Sequence, residues 1–194
     1  MPEDKDMIVT GETVCLGPRR KDLIPTYLGW INDPEVNRFL TMWGTAMSLE
    51  DEEKWYASTG APNERLFTIY HRQSMKPIGN TGLHRIDHRH KNCEMGIVLG
   101  EKDYWGRGFG TEAVRLVLDF GFIGLGLHSI HLRVLSHNER AIRCYEKAGF
   151  KMAGRLRDAF QVGGQYVDHI LMDILGSEFE SPYLKSLLDD TEGR

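Results

Sequence analysis

The chain has 194 residues, 41% of them hydrophobic and 27% charged, with a formal net charge of −4. That is the composition of one soluble globular domain with a substantial core, and the mildly acidic balance argues against a nucleic-acid surface while suiting a cationic substrate. Cys15, Cys93 and Cys144 stand far apart with no C-x-x-C spacing, which speaks against a disulfide framework or a zinc site and suits a reducing cytoplasm.

Residues 1 to 12 are polar and acidic, unlike a signal peptide, and read as a loose leader. No apolar run is long enough for a membrane helix. Thr13 to Leu16 predicts a short strand closed by Gly17-Pro18. Asp22 to Ile31 predicts a helix, with Asp22 as N-cap, Pro25 in the first turn, and Ile24, Tyr27, Leu28 and Ile31 on one apolar face. Glu35 to Met47 has no clean period and predicts a partly helical flap. Ser48 opens a second helix with Asp51 in the capping-box position, and Trp55 and Tyr56 are its expected anchors.

A meander follows: strands at Leu66 to His71, Ile78 to Ile86 and Cys93 to Leu99, with a polar hairpin loop at Asp87 to Asn92. Gly79 and Gly82 point to a bulge or a close approach. A buried helix is expected from Gly110 to about Leu125 and a strand from His128 to Leu135. A further helix begins at Asn138 and ends at Gly149. Lys151 to Leu156 and Tyr166 to Ile174 form a last hairpin, and from Gly176 a polar tail carries one amphipathic piece, SPYLKSLL. Strands and helices mixed in this order predict an α/β (α+β) domain around one sheet.

Two stretches carry chemistry. The first is YWGRGFGTE, Tyr104 to Glu112, which lies between a strand and a helix. Its alternating glycines allow a sharp turn, and the first turn of the following helix presents unpaired N–H groups to an anion such as pyrophosphate. No Walker-type motif is present. Read from Gly108, the run fits a loose dinucleotide fingerprint ending at Ala113, yet the acidic residue expected about 20 positions on is missing. The turn taken alone leaves phosphate binding and simple helix–strand packing both open. The second stretch is NERAIRCYEKAGF, Asn138 to Phe150. Asn138 reads as an N-cap, while Tyr145 points inward with Ala141 and Ile142, either as a packing residue or as a proton donor.

Together, YWGRGFGTEA and SHNERAIRCYEKAGF resemble the GNAT superfamily of N-acetyltransferases, and more narrowly its ribosomal-protein N-terminal acetyltransferase (RimJ/RimL) branch and the spermidine N-acetyltransferases. WINDPEVNRF, Trp30 to Phe39, is similar to that family's first-helix region, and the resemblance spans residues 13 to 175. It implies a GNAT-like mixed, mostly antiparallel, V-split sheet flanked by helices, binding acetyl-CoA as cosubstrate without a metal. Gly108 and Gly110 match the small positions of the family's Q/R-x-x-G-x-G/A motif, and Trp105 replaces its Q/R. The resemblance implies that main-chain groups of Arg107, Gly108, Phe109, Gly110 and Thr111 hold the pyrophosphate. It further implies that Ile97, Val98 and Leu99 pair with the pantetheine arm and that Asn138 lies near the cofactor. Tyr145 would protonate the departing thiolate, and Glu94 would act as base, directly or through water.

An ammonium must lose a proton before it can attack a thioester, and a carboxylate can take it. A bulge in the 97–99 strand would supply an N–H donor to the tetrahedral intermediate. Glu94 also reads as a simple carboxylate paired with Arg85, and His84 is a second proton acceptor near the cleft. His84, His88 and His90 match no usual zinc spacing. Cys93 and Cys144 read as core packing rather than nucleophiles, and Glu112 as a partner of the helix dipole. The flap from Trp30 to Trp43 and the last hairpin are expected to choose the substrate, with Asp33, Glu35 and Asp168 able to attract an ammonium group. The expected acceptor is a protein or peptide N-terminal α-amine. A polyamine, an amine antibiotic, an inactive acyl-CoA-binding module and an unrelated phosphate-binding domain are the alternatives. The edge strands and the tail are compatible with a homodimer.

Overall fold

The computed structural model describes residues 6–185, apart from 42 and 59. Short strands β1 (Val9–Thr10) and β2 (Val14–Pro18) open the chain. Part of the expected leader is therefore a strand, since Val9 pairs with Leu16 and Thr10 with Cys15. Helix α1 (Ile24–Asn32) follows a tight turn at Lys21–Leu23. Asp22 does not cap it, because Arg20 Nε donates to Asp22 at 2.9 Å, and Pro25 starts the helix without a side-chain cap. Its buried residues are Ile24, Tyr27 and Trp30, so Trp30 takes the place expected of Leu28 and Ile31. The flap holds one short helix, α2 (Pro34–Asn37), capped by Asp33. Helix α3 (Leu49–Ser58) starts with the expected box: Ser48 Oγ donates to Asp51 Oδ2 at 2.6 Å, and the Asp51 amide donates back to Ser48 at 3.1 Å.

Strands β3 (Arg65–His71), β4 (Lys76–Asp87) and β5 (Asn92–Leu99) form the meander. Helix α4 (Phe109–Asp119) continues into a wider π-type turn at Phe120–Gly124. Then come β6 (Ser129–Leu135), α5 (Glu139–Ala148) and the long hairpin of β7 (Lys151–Val162) and β8 (Gln165–Leu175). Among the described residues the strands make one eight-stranded sheet in the order β1-β2-β3-β4-β5-β6-β8-β7. The fold is α+β around a mixed, mostly antiparallel sheet.

The single parallel junction shapes everything around it. β5 pairs with β6 only at Asn92–Ser129, Cys93–Ile130 and Glu94–His131. Beyond Glu94 the two strands part, and among the described residues one edge of β5 from Met95 to Leu99 has no neighbouring strand. That V-shaped split is where the cleft opens. On its other edge β5 follows β4 in unbroken register from Glu94 to Leu99, and the irregularity lies between His84 and Asp87. The bulge expected at 97–99 is therefore absent from that pairing. Gly79 and Gly82 instead serve close approach: a Cβ would stand 2.3 Å from the Val98 carbonyl at the first and 2.7 Å from the Arg65 carbonyl at the second.

Helix α4 packs on β2, β4 and α5 and buries Ala113, Val114, Leu116, Val117 and Leu118 completely. Each of the valine and leucine side chains among them contributes roughly 1.5–3 kcal/mol. Segments early and late in the described chain are tied to this helix. In its first turn Glu112 accepts from the Thr13 amide at 3.0 Å, from the Thr13 hydroxyl, and from the Tyr183 hydroxyl at 3.5 Å. In its last turn the fully buried Asp119 accepts from the Ser181 hydroxyl and from the amides of Tyr183 and Leu184, both at 2.9 Å. Phe179 lies against Phe122 at 5.3 Å. The tail is thus docked through Leu184, and the end of the SPYLKSLL piece lies outside the described residues. Asp119→Ala removes a charged acceptor from three donors. We expect a loss of roughly 2–3 kcal/mol in urea unfolding, with Ser181→Ala costing less.

Candidate active site

The split opens into a cavity of about 760 Å³, within the range of small-molecule sites. Its first wall is the free edge of β5. Thr81 Oγ1 donates to the Gly96 carbonyl at 2.9 Å from the β4 side, and the Trp105 indole donates to the Leu99 carbonyl at 2.7 Å. Main-chain groups alternate along a strand, so Ile97 turns its N–H and carbonyl toward the split. An extended amide-bearing ligand could pair there as an added strand.

The second wall is the glycine turn. Gly106 and Gly108 have φ of 72° and 92°, a region that side-chain-bearing residues rarely adopt. A Cβ at either position would meet nothing within 4 Å. They border open space, so their conformation and not crowding requires glycine. Gly108 is also the N-cap of α4 and offers no side chain to its first amides, which leaves those N–H groups for an anion. Gly106, Gly108, Gly110 and Thr111 line the cavity. Arg107 and Phe109 do not: Phe109 is buried in the core, and the Arg107 guanidinium lies 5.3 Å from its ring. Any contribution from these two is through the main chain.

The third wall is β6 with the start of α5. Asn138 caps α5 by accepting from the Ala141 amide at 3.1 Å. That commits its side-chain oxygen to the helix. Tyr145 is 7% exposed, packs edge-on to Phe150 at 5.9 Å and lines the cavity. Burial, and secondarily the neighbouring Cys144, pushes its phenol above the ordinary range, so it keeps its proton at neutral pH. Sequence reading passed over the polar face of α5, whose Arg140, Arg143 and Lys147 reach the same cavity. Arg140 lies 3.7 Å over the Trp105 ring, which gives the Trp at that motif position a role in holding a cation beside the turn. The spacing of the three cations on one helix face was the available signal.

At the other end the cavity is walled by Tyr27, Glu52, Trp55 and His84, while Phe39 lines it beside Arg140 of α5 and Trp30 beside Gly100. Trp30 donates to Glu101 at 2.9 Å and lies flat on Gly100. Glu52 is 3% exposed, and burial raises its carboxyl against the opposing pull of Arg19. The Arg19 guanidinium lies 4.3 Å over Trp55 and 4.5 Å over Tyr56, which explains how a 42% exposed Trp55 still anchors α3. Asp33 and Glu35, offered above to an ammonium group, both bind Lys102 at 2.9 Å. Asp168 accepts from the Asp158 amide at 2.8 Å and pairs with Arg155.

Glu94 lies in the cleft between two cations, Arg85 and Arg133, the latter at 2.8 Å. Burial alone would raise its carboxyl, but the Arg133 hydrogen bond and the charges of both arginines outweigh it and hold the group below the ordinary range. A carboxylate held that way is a weakened proton acceptor. Cys93 is fully buried, and its thiol is pushed up to about 12 by burial. Cys144 is likewise raised by burial. Neither is poised as a nucleophile.

Residues 14–151 match the acetyltransferase (GNAT) domain family. The chain belongs to that family. Among its curated relatives, the uncharacterized N-acetyltransferase p20 of Bacillus licheniformis is 32% identical over 58% of this chain and 63% of its own length. Spermidine N(1)-acetyltransferase of Escherichia coli K12 is 37% identical over 52% of this chain and 54% of its own. The chain thus matches little more than half the length of these relatives. The crystal structure of Vibrio cholerae spermidine N-acetyltransferase in complex with CoA and spermine superposes with a TM-score of 0.80 at 25% identity, covering 87% of this chain and 98% of that one. A GNAT acetyltransferase from Bacillus anthracis shares the fold with a TM-score of 0.76 at 19% identity. Among the described residues no helix is long and apolar enough to cross a membrane.

Gly100 faces Trp30 so closely that a Cβ would stand 2.1 Å from its ring. Gly100→Ala should therefore displace Trp30 and cost roughly 1–3 kcal/mol, read as a lower thermal midpoint with shifted tryptophan fluorescence.

Proposed function

We propose that this GNAT chain is an acetyl-CoA-dependent N-acetyltransferase whose acceptor is a small, polyamine-class amine. The observation that carries the reading is the split sheet itself: an open strand edge, a glycine turn at a helix N-terminus and a buried tyrosine meet in one cavity. Those residues fit the cosubstrate. The main chain from Gly106 to Thr111 and the cationic face of α5 would receive its phosphates, and Ile97 would pair with its amide arm. Acetyl-CoA supplies an activated acetyl thioester. The chain's own residues align it, exclude water from the inner end and hold a phenolic proton at Tyr145 for the departing sulfur. The acceptor amine attacks directly, since no poised cysteine is present to carry an acyl group.

The polyamine reading replaces the protein α-amine expected from sequence. The relatives that carry a substrate in their names act on spermidine, and the far end of the cavity offers aromatic faces and the Glu52 carboxylate to a cationic amine.

Calorimetric titration should show selective binding of acetyl-CoA over ATP and NAD. Thiol release with spermidine should then exceed that with peptides bearing a free N-terminus. Tight binding with transfer to no amine would identify an inactive module, and a preference for peptides would restore the protein-substrate reading. In Tyr145→Phe, kcat should fall about 100-fold with acetyl-CoA affinity intact. Weakened affinity with unchanged kcat would reject the acid role.

A further inference from the structure

One row of ionisable side chains crosses the sheet face at the inner end of the cleft. Glu64 precedes β3 and stands opposite His84 on β4, given the Arg65–Leu83 pairing. His84 pairs in register with Glu94 on β5, and Glu94 with His131 on β6. Arg133 lies two residues along β6, on the same face. His84, Glu94 and Arg133 all border the cavity.

The two acceptors in this row are held differently. Glu94 is gripped by Arg85 and Arg133. Among the described residues His84 is held on one side only, with Nδ1 lying 3.4 Å from Glu64 Oε1. Where the Glu64 carboxylate accepts from Nδ1, Nε2 is the acceptor nitrogen of the neutral ring. Nε2 is also the ring atom nearest Gly96, 3.6 Å from where a Cβ there would stand. Gly96 adjoins Ile97, whose main chain faces the split. Nε2 therefore lies over the face of β5 at Gly96, one residue from the open edge at Ile97. The Glu64–His84 contact is long, as base–orienter contacts often are before substrate binds.

We propose that His84, oriented by Glu64, is the general base that deprotonates the acceptor ammonium, and that Glu94 fixes Arg133 and Arg85 instead of taking the proton. This rests on the acetyltransferase reading above. His84 Nε2 takes one proton from the ammonium and passes it to solvent. The freed amine forms the C–N bond to the acetyl carbon. As the C–S bond breaks, Tyr145 gives its proton to the sulfur and is restored, through water, by the second proton leaving nitrogen. The products are the acetamide and the free thiol, with one proton released.

The test uses the full chain, acetyl-CoA and whichever amine the wild type acetylates. His84→Ala and the milder His84→Gln should each lower kcat/KM about 100-fold with acetyl-CoA affinity unchanged. Imidazole added to His84→Ala should restore turnover, which no structural role would produce. Glu94→Gln should cost less than His84→Ala. Near-wild-type turnover in both folded His84 variants would overturn the assignment, as would Glu94→Gln being the costlier change or imidazole failing to rescue. A wild type that binds acetyl-CoA but acetylates no amine would defeat the transferase reading, and the base with it. That outcome shows before any variant is made.

Discussion

The structure depends on the brevity of one strand pairing. β5 and β6 run parallel for three residue pairs and then part. Unpaired strand edges are costly when buried away from any partner, and sheets normally cover them. Here the edge is kept open and faces a cavity. That leaves main-chain donors and acceptors available for an extended ligand with no side chain spent on recognition. The crossover through α4 places the glycine turn at the mouth of the gap, and α5 closes its other side with Tyr145.

Charge is distributed unevenly along this cleft. The mouth is cationic, with Arg140, Arg143 and Lys147 on α5 beside the helix N-terminus. The inner end is a mixed row in which each carboxylate has a cationic or imidazole neighbour. Glu94 shows why proximity to a reaction centre does not decide a role. Its two arginines stabilise the anion so well that its proton affinity falls. His84, with one orienting partner, keeps an open nitrogen.

Much of the architecture was legible in the sequence because it is written in local signals. The Ser48–Asp51 box, the Asn138 cap and the apolar α4 each set their element's position. The two motifs placed Gly108, Gly110, Thr111, Asn138 and Tyr145, and the structure brings all five to one cavity. What the sequence could not show were the long-range pairings. Asp22 reads as a cap until Arg20 is seen to hold it. Asp33 and Glu35 read as free acids until Lys102 is placed beside them. Glu112 and Asp119 read as an ordinary first-turn acid and an interruption in an apolar helix. They prove to fasten Thr13 and Ser181 to one helix, across separations of 99 and 62 residues.

The short β5–β6 junction has a further consequence. Strands β1 to β5 each pair with a neighbour in the chain order, and β6, β7 and β8 form a second unit of their own. Within the sheet three pairs of residues join these units, and side-chain contacts such as Arg133–Glu94 and Phe39–His137 bridge them outside that pairing. The junction is therefore a seam between two units that are each paired far more extensively within themselves. The cleft lies on that line, so a ligand filling it touches both units at once.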